Sequence, residues 1–208
     1  DVKMIYSDGA GSGAAITDAL VDLNIATKLT VKNPTAGSVG ATLLLQTSEP
    51  TVVANDVLGK IQFQAPDEAS GTDAILVAAE VAAVSEGTFA SNDNATKLVF
   101  RTGASEAATT SATDKMSISS AGNVTIKNTA TGDDTPVTLL LRTGETAITA
   151  NDVLGKIQFQ ADDEASGTDA VLVAAEVAAV AEGTFATDNN ATKLSFKTGA
   201  SEAASEKM

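Results

Sequence analysis

Apolar and polar residues alternate with a period of two in several short stretches of the chain. In Val57–Gln64, Val57, Gly59, Ile61 and Phe63 fall on one side, and Leu58, Lys60, Gln62 and Gln64 on the other. A two-residue period is the mark of a strand with one buried face. Thr96–Thr102 (TKLVFRT) alternates the same way, with Leu98 and Phe100 expected inward and Lys97, Val99 and Arg101 outward. LTVKN from Leu29, VTIKN from Val124, ATLLLQT from Ala41 and VTLLLRT from Val137 are also expected as strands. Met116 and Ile118, the turn Ala121-Gly122-Asn123, then Val124 and Ile126 predict a β-hairpin. Stretches such as NPTAGSVG and APDEASGTD, rich in Pro, Gly and Asp, separate these runs as turns.

One stretch sets local rules against each other. AILVAAEVAAVSEG, from Ala74, has helical composition, with Thr72 or Asp73 as N-cap, Gly87 as terminator, and Val77, Val81 and Val84 as an apolar stripe. It also fits a long strand, apolar on both faces apart from Glu80. Its position between two strands, with turn-rich links on each side, favours the strand, because a meander then closes without rearrangement. One Ala-rich helix per module is the alternative.

The pattern occurs twice. Asp56–Ala108 recurs, almost letter for letter, at Asp152–Ala204, so the chain is read as an array of modules. Residues 1–28 form an N-terminal linker, with a Gly/Ser/Ala loop and a short apolar patch (Ile16, Leu20, Val21). Residues 29–123 are module 1, and residues 124–208 are module 2, truncated. Opening at Asp1 and stopping within a motif that continues in the earlier copy, the chain is expected to be an excerpt of a longer polypeptide. The copies differ at Val99/Ser195 and Arg101/Lys197, both on the face expected outward, while Leu98/Leu194 and Phe100/Phe196 are kept. The other differences fall on turns (Pro66/Asp162, Asn92/Asp188, Asp93/Asn189) or are mild, as at Ile75/Val171.

Composition narrows the function. A net charge of −14 opposes binding to nucleic acid or anionic lipid, which demand a cationic face. With no Cys and no His, disulfides, thiolate chemistry and the commonest general base and transition-metal ligand are lacking. No apolar run approaches the ~20 residues of a membrane span, and no signal peptide opens the chain. With aromatics at 3%, the large rings of the modules are Phe63, Phe89 and Phe100 in one and Phe159, Phe185 and Phe196 in the other. Small domains so poor in bulky side chains are expected to lean on neighbouring chains.

Other motifs have plainer readings. The N-terminal glycines lack the Gly-Lys-Ser/Thr ending of a phosphate loop. Asp67-Glu68, Asp162-Asp163-Glu164, Asn92-Asp93-Asn94 and Asp188-Asn189-Asn190 offer oxygens to Ca²⁺ or Mg²⁺. None has the spaced loop with a closing Glu, and all are expected as solvated turns. Paired carboxylates suit glycoside hydrolysis, but Tyr6 is the only Tyr and Trp is absent, leaving no aromatic platform for a sugar. Asn94-Ala95-Thr96, Asn190-Ala191-Thr192 and Asn123-Val124-Thr125 match the N-glycosylation pattern.

GKIQFQAPDE, ILVAAEV, TKLVFRT and DKMSISSAGNVTI, in that order, resemble the repeated shaft segments of tailed-bacteriophage tail fibres. The resemblance runs from Leu29 to Met208. Thr125-Ile126-Lys127 stands where such repeats continue as Gly-Ile-Gly, and no self-cleaving C-terminal chaperone domain is seen. The resemblance implies an elongated all-β array of two tandem antiparallel modules, trimeric and intertwined. It implies a non-enzymatic structural segment of the host-attachment apparatus in the virion, with itself and other tail or baseplate proteins as partners, and with host contact through a tip beyond this chain. No catalytic residue, cofactor or metal is expected. The expected assembly residues are Ile61, Phe63, Leu98, Phe100, Ile157, Phe159, Leu194 and Phe196. The alternative is a cellular surface adhesin stalk or secreted filament of β modules.

Overall fold

The computed structural model describes residues 6–7, 16–17, 28–33, 40–65, 71–162, 171–200 and 203–207. It comprises two compact units, Asp1–Thr129 and Ala130–Met208. In the first, β1 (Tyr6–Ser7) and β2 (Ile16–Thr17) pair antiparallel within the stretch expected as a linker. A five-stranded sheet follows in chain order: β3 (Val57–Gln64), β4 (Val77–Ser85), β5 (Thr96–Thr102), β6 (Asp114–Ile118) and β7 (Val124–Ile126). The second unit holds β8 (Val153–Gln160), β9 (Val173–Ala181), β10 (Thr192–Thr198) and β11 (Ser205–Glu206), again in chain order. All neighbours are antiparallel, so the protein is all-β, with two larger antiparallel sheets beside the β1–β2 pair among the described residues.

The Ala-rich stretch is strand, not helix. Thr72 opens only a single 3-10 turn, Asp73–Ile75, and makes no side-chain capping bond. β4 then pairs along its length with β3 on one side and β5 on the other, and two hydrogen-bonded neighbours outweigh the small helical preference of Ala. The hairpin expected around Gly122 forms, with Met116 opposite Ile126 and Ile118 opposite Val124. Gly122 takes a φ of +79° in its turn, as a left-handed position requires. The division between compact units therefore falls after β7: VTIKN opens a repeat in the sequence but closes a sheet in the structure.

Three expected strands are not strands within the chain. Leu29–Val31 carries no ladder, although its counterpart Val124–Ile126 does. The counterpart has β6 immediately before it to pair with, and among the described residues Leu29–Val31 has no such neighbour. ATLLLQT and VTLLLRT likewise join no sheet. Their leucines stay exposed, Leu44 at 74% and Leu140 at 73%.

The buried side of each sheet also differs from the expected one. Val99 is 0% exposed and Arg101 4%, and with Glu80, Ala82 and Val84 they form the single-chain core. Leu98 lies 40% exposed on the other face. The chain after β5 explains this. Gly103 and Ala108 donate main-chain hydrogen bonds to Ala78 and Val77, and Thr109 offers its carbonyl to Arg101, so the segment turns back over the Val99 face. Alternation therefore sorted most residues into the right two faces but named the wrong one as covered by this chain. Val57 and Val153 are the exceptions, since bulges before Gly59 and Gly155 set them opposite Val84 and Val180 on the covered side. The Val99/Ser195 and Arg101/Lys197 differences sit in the core rather than on an outer surface.

Candidate assembly surface

Register builds the surface from strand alternation. In the first sheet one cross-strand row runs Ile61, Val81, Phe100, Met116, Ile126; the next runs Gly59, Ala83, Leu98, Ile118, Val124; a third runs Phe63, Ala79, Thr102. In the second sheet the rows are Ile157, Val177, Phe196; Gly155, Ala179, Leu194; and Phe159, Ala175, Thr198. The residues expected for assembly thus come together on one face of each sheet, and every member of these rows is uncharged. That face is open in the single chain: Phe63 is 55% and Phe159 56% exposed, with Ile61, Leu98, Ile157, Leu194 and Phe196 also exposed. Phe100 is half-buried.

Part of the same face carries the Leu triplets. A Cβ built on Gly59 would lie 2.7 Å from the Leu45 Cβ and 3.0 Å from the Leu45 carbonyl oxygen. On Gly155 it would lie 2.7 Å from the Leu141 Cβ and 3.2 Å from its carbonyl oxygen. Since a Cβ points out of the pleat, these segments lie across the sheet face above the glycine rather than beside the edge strand. Glycine is needed there for close approach of backbone to backbone. A groove of roughly 310 Å³ remains between Leu43–Leu45 and Ile61, Val81 and Leu98, and one of the same size recurs beside Leu139–Leu141.

The opposite face holds the charge. In the first sheet Gln62, Glu80, Arg101 and Asp114 stand in one row. Gln62 Nε2 donates to Glu80 Oε2 at 2.7 Å, Arg101 Nη1 to Glu80 Oε1 at 2.5 Å, and Arg101 Nε to Asp114 Oδ1 at 2.7 Å. Lys60 adds a longer contact to Glu80 at 3.8 Å. Burial opposes the Arg101 charge, but its bonds to Asp114 and Glu80 outweigh that and raise its pKa. In the second sheet Gln158 and Lys197 each bond Glu176 at 2.7 Å, and Lys193 pairs with Glu206 at 2.8 Å. The Lys197 bond first, then Gln158, holds the Glu176 carboxyl below its ordinary range. Sequence reasoning missed this line. Its only signal was Glu80 interrupting an apolar run, with Arg101 falling opposite once the strands are paired.

The acidic and amide-rich turns behave as turn chemistry where they are described. Asp93 Oδ1 accepts from the Ala95 amide at 2.9 Å, and Asn189 Oδ1 from the Ala191 amide at 3.1 Å. Asp67-Glu68, and Asp163-Glu164 after Asp162, lie outside the described residues. Among the described residues no helix is long and apolar enough to cross a membrane.

No family model matches the chain, and no curated protein does. Among solved structures, the carboxy-terminal domain of the bacteriophage T5 L-shaped tail fibre aligns over 86% of this chain and 85% of its own, at 11% identity and a TM-score of 0.41. At that score and identity the overlap does not establish a shared fold.

Proposed function

We propose that the chain is a structural shaft segment of a trimeric viral tail fibre, holding its length and stiffness rather than catalysing a reaction. The observation that supports assembly is the open apolar face, repeated on both sheets, with Ile61, Phe63, Leu98 and Phe100 on the first and Ile157, Phe159, Leu194 and Phe196 on the second. A contiguous exposed apolar face on a soluble chain is a site of association. Among the described residues the apolar side chains buried within one chain are small: Ala82, Val84, Val99 and Ala108 in the first unit, and Ala178, Val180 and Ala181 in the second. Three copies would bury the Phe and Leu faces against one another, and stability would sum over modules, as in other linear arrays. The fibre assignment rests on the motif order noted in the sequence. It places the chain in the virion, beside other tail proteins.

Sedimentation of the whole chain is expected to give a trimer that resists SDS. The double variant Phe63→Ala with Phe159→Ala is expected to sediment as a monomer. A wild-type monomer, or unaltered SDS-resistant trimers in the double variant, would sink the reading. Antibody raised to the chain is expected to decorate tails of particles; decoration of a cell surface instead would favour the adhesin or filament alternative.

A further inference from the structure

Each module leaves two main-chain ladders unfilled. Leu43–Leu45 and Leu139–Leu141 are confined above Gly59 and Gly155, yet among the described residues no main-chain hydrogen bond reaches them. Each sheet also ends on an eight-residue strand, β3 or β8, with a neighbour on one side only. A long edge bearing Ile61 and Phe63, or Ile157 and Phe159, is an open template for another strand. The triplet cannot fill the edge of its own sheet, because it lies over the face.

We propose that Leu43–Leu45 and Leu139–Leu141 are inter-chain strands, hydrogen-bonded to the free edges of β3 and β8 in a second copy of this chain. The inference rests on the self-assembly reading above and names the elements that meet. Charge permits that occupant: copies carrying −14 each repel one another overall, but the cross-strand rows of the face that bears the triplet have no charged member in either sheet. Lys60, Glu80, Arg101, Lys156, Glu176 and Lys197 all stand on the other side. Period selects it. The Leu45–Gly59 seat recurs as Leu141–Gly155 at the same spacing as the edges, and a second copy matches that spacing by construction. Donation from each copy to the next is a head-to-tail contact, which closes into a ring when the rotation allows, and strand addition supplies its main-chain bonds.

Amide exchange on the whole assembled chain tests this. Alternate amides of residues 42–46 and 138–142, those turned to the partner strand, are expected to exchange at least about 100-fold more slowly than in an unstructured peptide. Because the chain lacks cysteine, cross-linking gives a second readout. A chain carrying Leu44→Cys, co-refolded with tagged chains carrying Lys60→Cys, Ile61→Cys or Gln62→Cys, is expected to form an inter-chain disulfide with at least one of them. That linkage requires Cα atoms within roughly 7 Å. An oligomer with freely exchanging triplets, or with no cross-link to any of the three, overturns this inference and leaves the assembly reading standing. A monomer overturns both.

Discussion

Within their sheets, the two repeats differ on the face this chain covers and agree on the face it leaves open. In the first, Val99 fills the centre of the covered face, and Arg101 spans Glu80 and Asp114 under the returning segment. In the second, Ser195 occupies the Val99 position, fully buried; among the described residues its Oγ has no partner at hydrogen-bonding distance, though it lies near enough to Glu206 to help hold that carboxyl low. Lys197 stands for Arg101 and, among the described residues, hydrogen-bonds Glu176 only, while Glu206, opposite it in register, is bonded by Lys193. Ser85 makes a short hydrogen bond to the Val53 carbonyl and accepts one from the Asp56 amide at 3.0 Å; Ala181 replaces it and does neither. Meanwhile Ile61/Ile157, Phe63/Phe159, Leu98/Leu194 and Phe100/Phe196 are identical, as are the triplets and their glycines. The covered face thus tolerates a looser solution, and the open face is kept the same.

Removing the shared glutamate should separate the repeats most. Glu80→Ala leaves the buried Arg101 with one partner fewer and is expected to destabilise the first sheet by about 3 kcal/mol. Glu176→Ala frees Lys197, whose side chain is partly exposed and can turn to water, so a clearly smaller loss is expected there. Hydrogen exchange of β4 and β9 under increasing denaturant reads the two units separately; equal losses would erase the distinction. Ser195→Val should narrow the gap, gaining about 1–2 kcal/mol for the second sheet by removing an unpaired buried hydroxyl and filling its place with methyl groups. A loss in the same measurement would mean the site has no room for valine.

Acid should sharpen the comparison by its salt dependence, with the smallest effect. Glu176 and Glu206 are held low chiefly by Lys197 and Lys193, and Glu86 by its bond to Ser120. A folded-state pKa below the unfolded one adds stability that is complete above the ordinary carboxylate range and is lost as pH falls through the lowered value. Both units should therefore weaken on acidification. In the second unit the partners are Lys side chains near solvent, so the contribution should shrink with added salt. In the first, the Glu86 contribution comes from a neutral donor and should not. Melts across pH at low and high salt check this, and matching salt responses would contradict it.

Period-two alternation was enough to find β3, β5 and the β6–β7 hairpin and to sort most of their residues into two faces, with the expected assembly residues together on one; it missed the bulge that moves Val57 to the other. It also favoured strand for the Ala-rich stretch, where composition alone pointed to helix. It failed for Leu29–Val31 and the Leu triplets, because a strand is a paired object and a single chain does not show from its own residues whether a partner is available. It also failed on which face is covered. The differences at Val99/Ser195 and Arg101/Lys197 suggested solvent, but both positions lie on the face that the chain itself covers, where burial came from the returning segment and not from the pattern within the strand.

From the residues alone came the duplication, the antiparallel β character, the two-faced strands and the shortage of bulky core, since each depends on local pattern or composition. The tertiary structure alone decided that Glu80 meets Arg101, that Gly59 seats Leu45 and that the charged side is the one this chain buries. Those outcomes depend on cross-strand register and on where the segment after β5 returns, and both bring together residues far apart in the chain.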